Sequence, residues 1–216
     1  MLALESIESV SLMSVWMLEP RVPELLLELG MRGYATARVR PLSLGGYNIV
    51  PLMAPNVMAI KGLTYLVYDP GRRSITVEGL RTDELLSVFN EVEEVLRSAG
   101  SDPAKGVLFY ELQAKARASG RRWTLRRSVT VAGLRGLELL VVPTSLVSGG
   151  DDPNSVRWLS LEVRPLWSSW GDERVRYEVV MVYRDRRERL VEALKNLDGL
   201  VKEILGSASA ALEGNA

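Results

Sequence analysis

Thirteen residues, KARASGRRWTLRR at 115–127, gather six basic side chains around Trp123. Guanidinium forks bind phosphate oxygens, and an indole face can stack on a base. Lys115, Arg121, Arg122, Trp123, Arg126 and Arg127, with Arg38 and Arg40 on a sheet face, therefore outline a candidate nucleic-acid surface. The charge balance weighs against it. Lys plus Arg and Asp plus Glu both number 27, so no global field draws the chain to a polyanion or an anionic membrane. All but five of the basic residues are Arg, and that many will cluster somewhere. A solvated loop with flanking ion pairs is the simpler explanation.

Other candidate chemistry thins out. The chain has no His and no Cys, which removes the commonest general base, the commonest metal ligand and any thiol nucleophile. Asp151 and Asp152 in GGDDPNS have the chemistry to ligate a hard cation, but Gly, Asp, Pro and Asn are ordinary turn formers. Glu93 and Glu94 fall on the solvated side of a helix pattern. No glycine-rich phosphate loop, nucleophile elbow or metal-binding helix occurs. Catalysis remains open to Asp, Glu, Lys or Tyr, but no set stands out. The chain reads as a binding protein rather than an enzyme, with no catalytic residue, cofactor or metal assigned.

Two stretches that must position such side chains share one pattern. RSITVEGLRTDELLSVFNEVEEVLRSAG from Arg73 and RYEVVMVYRDRRERLVEALKNLDGLVKEILG from Arg176 each pass from an alternating strand through a charged turn into an amphipathic helix. At an offset of 105, Leu85 falls on Leu190, Phe89 on Leu194, Val92 on Leu197, Val95 on Leu200 and Leu96 on Val201. Upstream the offset becomes 92, where Val39 meets Val131 and NIVP meets LVVP. The pattern predicts an α+β fold made by internal duplication of an antiparallel-sheet-plus-C-terminal-helix unit, with pseudo-two-fold symmetry. The repeats are 1–100 and 101–206, the second with longer loops, and 207–216 is a flexible tail of small and polar residues. Gly100 ends the first helix. After the first strand, the connection is helical in the first repeat (VPELLLELG) and shorter and basic in the second.

This layout is similar in outline to TATA-box-binding-protein-like (TBP-like) and helix-grip folds. The resemblance is one of layout. No motif of either family occurs, and two Phe are few for side chains that wedge between bases.

Strand residues alternate between faces, so positions apolar in both repeats should meet the helices: Ile75 and Val77, Val180 and Val182, Ala37 and Val39, Val129 and Val131. The opposite face then carries Thr36, Arg38, Arg40, Ser74, Thr76 and Glu78 in the first repeat. In the second it carries Tyr177, Val179, Met181 and Tyr183, with Trp158 beside them. An apolar outer stripe of that kind needs a cover. The expected function is a non-enzymatic binding or assembly protein that meets a protein partner, or a second copy of itself, through Trp158, Tyr177, Val179, Met181 and Tyr183. Nucleic-acid binding through the Arg-rich surface is the alternative, and a small apolar ligand held between helix and sheet is a third.

Composition sets the outer bounds. An apolar content of 47% fills a sizeable core. Scarce thermolabile residues and many charges suit a thermophile, although a genomic base bias favours Arg equally. Glu5 and Glu8 stand where a signal peptide wants basic residues. Residues 41–60 are uncharged over a membrane-spanning length, but three Pro, two Gly and two Asn would leave backbone groups unpaired in lipid. A soluble, cytoplasmic protein is expected.

Overall fold

Two fourteen-residue strands organise the computed structural model, which describes residues 2–43, 45–122, 125–131, 134–141, 145–148 and 157–213. They are β1 (Ala3–Trp16) and β8 (Val107–Gly120), paired antiparallel along most of their length with Ser11 opposite Gln113. Outward from β1 follow β7 (Ser74–Gly79), β6 (Thr64–Asp69), β5 (Val57–Lys61) and β2 (Ala35–Thr36). Outward from β8 follow β13 (Val175–Asp185), β12 (Trp158–Pro165) and β11 (Ser145–Ser148). The result is a nine-stranded sheet with antiparallel neighbours throughout. Two hairpins form separate ladders: β3 (Arg38–Pro41) with β4 (Tyr47–Val50), and β9 (Leu125–Val131) with β10 (Leu134–Val141).

The helices are α1 (Val22–Met31), α2 (Thr82–Ser98), the short α3 (Pro103–Gly106), α4 (Arg187–Lys195) and α5 (Leu197–Glu213). They pack on the sheet face that carries Leu12, Leu66, Val77, Leu112, Leu161 and Met181. Leu85, Phe89, Val92 and Leu96 of α2 repeat at helical spacing and are buried there, as are Leu190, Leu194, Leu197 and Val201. The expected stop at Gly100 is present. Its φ of 89° lets its N–H reach the Arg97 carbonyl while the Ser101 N–H reaches that of Leu96, which closes a Schellman motif. Gly106 serves close approach instead, since a Cβ there would stand 2.9 Å from the buried Trp16 ring. No helix among the described residues is long and apolar enough to cross a membrane.

Four expectations need correction. The second helix is not continuous: the backbone turns at Asn196 (φ −119°, ψ 36°), separating α4 from α5. Of the expected flexible tail at 207–216, residues 207–213 are helical, because α5 runs on to Glu213, and 214–216 lie outside the described residues. Its small side chains allow close packing on the sheet, with Ala208 and Ser209 buried and the Ser209 hydroxyl accepting the Leu2 N–H at 3.0 Å. Third, residues 115–120 are not a basic connection but the end of β8.

The largest correction concerns β13. Tyr177, Val179 and Met181 do not face outward. They are 0%, 1% and 1% exposed in the core under the helices, and Val180 and Val182 take the outer face. The cause is steric. Tyr177 lies opposite Ala118, Val179 opposite Ala116 and Met181 opposite Ala114, so the alanines of β8 leave room for the larger side chains. On the outer face Glu178 lies opposite Arg117, Val180 opposite Lys115 and Val182 opposite Gln113. An offset measured on the helices and carried into the strand is wrong by one residue, and one residue exchanges every side chain between faces.

Substitution on the two faces of β13 tests this parity. Met181→Asp should cost about 4 kcal/mol or more, by placing an unpaired charge in the core. Val182→Asp, on the outer face, should cost about 1 kcal/mol or less. Equal losses in denaturant unfolding would contradict the arrangement.

Candidate functional site

The two flanks of the sheet differ in how the seam between helix and outer strands is closed. On the first flank α1 closes it. Val22, Leu25, Leu26 and Leu29 of α1 are buried, and α1 rests on α2, β2 and β5. A polar clasp fixes its end. Glu91 of α2 takes the Lys61 ammonium at 2.8 Å and the Tyr34 hydroxyl at 2.6 Å, with Arg32 at 3.7 Å. Arg32 also meets Glu94 at 3.4 Å, and Lys61 lies 4.6 Å from the centre of the Tyr34 ring. Burial works against the Glu91 charge, but the hydrogen bonds from Lys61 and Tyr34, with the nearby cations, hold its carboxyl below the usual range. Burial, and then the same carboxylate, push the Tyr34 phenol up.

Among the described residues the second flank has no counterpart to α1. Strand β8 ends at Gly120 and β9 begins at Leu125, a link too short for such a helix. Between α4–α5 and β12–β13 an open groove of about 690 Å³ remains, within the range of ligand-binding clefts. Leu159 and Leu161 form its floor, Tyr183 an edge, and Ala193, Leu200 and Ile204 the helical wall. Arg189, Glu192, Asn196 and Glu203 line its rim. Arg189 reaches Glu192 at 3.6 Å, whereas Glu203 has no charged partner among the described residues. Val88 and Val95 are 6% and 0% exposed on the α1 side. Ala193 and Leu200, which follow them at the helix offset, are only half-buried.

The residues singled out from the sequence scatter. Tyr177, Val179 and Met181 belong to the core, while Tyr183 borders the groove and donates its hydroxyl to Asp185 at 2.9 Å. Trp158 lies on the outer face with the Arg184 guanidinium 5.0 Å from its ring centre. Arg184 also stacks on Phe109 at 4.6 Å and meets Glu111 at 2.6 Å.

The basic candidates do not form one free surface. Lys115 reaches Glu178 at 2.9 Å, and that hydrogen bond holds Glu178 below the usual carboxylate range. Arg122 stacks on Trp170 at 4.8 Å and donates to its carbonyl. Arg121 is exposed, its carbonyl accepting the Tyr177 hydroxyl at 3.0 Å. Arg38 and Arg40 are exposed on the separate β3–β4 ladder. Trp123, Asp151, Asp152 and the side chains of Arg126 and Arg127 lie outside the described residues.

A second cleft, of about 770 Å³, opens where α2, α4 and β8 meet. Glu93 is not on a solvated helix side; it is 5% exposed in this cleft and takes the Tyr110 hydroxyl at 2.9 Å and Arg187 at 2.6 Å. Burial, then the Glu93 charge, raise the Tyr110 phenol. Each of these groups is already partnered, and together they tie α2 to α4, which explains them without a ligand.

Sequence reasoning missed the groove residues Leu159, Leu161 and Ala193. Their signal was indirect: VPELLLELG had no equivalent after the first strand of the second half.

The Glu91 clasp makes a pH prediction. A carboxyl held low in the folded state adds stability above its ordinary pKa and loses it as pH falls through the folded value. Glu91→Gln should cost about 1–2 kcal/mol near neutrality. The variant should also lose less stability than wild type on acidification, as read from thermal melts across the carboxylate range. Parallel acid losses in the two proteins would show that the Glu91 charge contributes nothing.

No protein-family model, curated protein or solved structure matches the chain significantly.

Proposed function

We propose that the chain is a non-enzymatic binding protein, soluble and cytoplasmic, whose ligand-receiving surface is the groove between α4–α5 and β12–β13. The observation that carries this is an apolar seam that no described element covers, in the place that α1 fills on the other flank. The binding surface is thus moved from the outer stripe to the helix side, with Tyr183 common to both. A protein partner or a second copy of the chain remains the class of occupant.

The proposal includes internal duplication, in the pseudo-two-fold layout similar to TBP-like and helix-grip folds. Its support is the matching order of β1-β7-β6-β5 and β8-β13-β12-β11, beyond which only the first flank adds a strand, β2, and the passage of β7 and β13 directly into a helix. The central pair adds to this. One step beyond Ser11 and Gln113, Leu12 pairs with Val77 and Ala114 with Met181. Val77 therefore corresponds to Met181, and both are buried. Nucleic-acid binding has weaker support, because Lys115, Arg117 and Arg184 on the open sheet face are each held by a carboxylate, and phosphate binding needs cations free to replace counterions.

The apolar dye anilinonaphthalene sulfonate tests the site. Wild type should bind it saturably, and Ile204→Glu should weaken binding at least about tenfold, a change of about 1.4 kcal/mol, while the circular dichroism melt stays close to wild type. Absent saturable binding, or equal binding by the folded variant, would remove this proposal.

A further inference from the structure

We infer that the natural occupant of the groove is an amphipathic helix of a partner protein, with aliphatic residues at i, i+3, i+4 and i+7 and a basic residue just beyond them. This rests on the proposal that the groove is the binding surface.

The groove's shape is the first support. Its helical wall runs from Arg189 through Ala193, Asn196, Leu200 and Ile204 to Ala208. The stripe is in two pieces that meet at the turn at Asn196. At 1.5 Å per residue they span about 6 Å from Arg189 to Ala193 and about 12 Å from Leu200 to Ala208, an elongated wall suited to a helix of two or three turns. Ala193 and Ala208 in the wall allow close backbone approach, and an aliphatic floor beneath a helical wall suits the helix-in-groove mode of recognition.

The second support is the chain's own solution on the other flank. There α1 places Val22, Leu25, Leu26 and Leu29, spaced i, i+3, i+4 and i+7, over the equivalent seam. Just past them Arg32 meets Glu91 and Glu94. Charge complementarity is the third. Glu192 already shares Arg189, and Glu203 has no charged partner among the described residues, so the rim has a net negative charge that an incoming basic residue would balance.

The test uses the full chain and a fluorescein-labelled peptide of residues 19–34, EPRVPELLLELGMRGY, followed by fluorescence anisotropy. Saturable binding should appear and weaken at least tenfold when Ile204→Glu is made in the protein, or when both Leu25→Ala and Leu29→Ala are made in the peptide. Arg32→Glu in the peptide should weaken binding, and Glu203→Arg in the protein should restore it. The peptide variants keep the test valid if a protein variant fails to fold. If the dye binds in the groove but the peptide does not, the helix inference falls and the groove remains a site. If neither binds, both fall. A concentration-dependent wild-type dimer in sedimentation, dissolved by Ile204→Glu, would make the occupant a second copy and overturn the partner assignment.

Discussion

The hydrogen-bond ladder between β1 and β8 is the constraint on which the rest of the fold depends. Each strand has the other on one edge and its own flank on the other edge, so every other strand of the nine-stranded sheet is placed through this pair. The pair also sets the parity of side chains across the sheet. Leu12 and Leu112 lie opposite one another on the core side, Ser11 and Gln113 on the outer side, and the alternation passes outward strand by strand. Ala114, Ala116 and Ala118 then leave the space that Tyr177, Val179 and Met181 fill. A change of register here would expose that whole set, which is why the ladder fixes packing as well as topology.

With the described helices on one face, no described helix covers the other, as antiparallel sheets allow. It is occupied by matched charges: Lys115 with Glu178, Arg117 with Glu8, Arg184 with Glu111. Such pairs contribute little stability where they are exposed, but they leave no single-sign field across the face. The helix side is where the two flanks diverge. The clasp of Glu91, Lys61 and Tyr34 holds a covering helix on one flank, and the other has no equivalent covering element among the described residues.

Much of the local structure was legible in the sequence. The helical stripes of Leu85–Leu96 and Leu190–Val201, the apolar helix after β1 and the stop at Gly100 all follow from periodicity and turn chemistry. The faces of β13 did not, because both sets of alternate positions in RYEVVMVYR are apolar enough to be core, and only the alanines of the neighbouring strand decide between them. Glu93 was misplaced for a related reason: its partners Tyr110 and Arg187 come from β8 and α4, and no helical periodicity reveals them. The groove was illegible in a different way. It lies where α4, α5, β12 and β13 leave a gap, and residue patterns record elements rather than the spaces between them.

The distance along the chain between the two central strands shapes how the protein must be made. Ala3 finally pairs with Ser119, and Trp16 with Val107, so β1 leaves the ribosome long before β8 exists. At a synthesis rate of about 5–20 residues per second, some hundred residues take roughly 5–20 seconds. During that interval the inner edge of β1 is an unpaired strand edge, open to pairing with another nascent chain. Two features of its sequence blunt it. Glu5 and Glu8 place charges along the strand, and Ser6, Ser9 and Ser11 add small polar groups. Glu5 and Glu8 are also the residues that the finished ladder skips, between Leu4 and Ser6 and between Ile7 and Ser9, so the charges that suit a waiting edge stand at the irregular points of the completed pair.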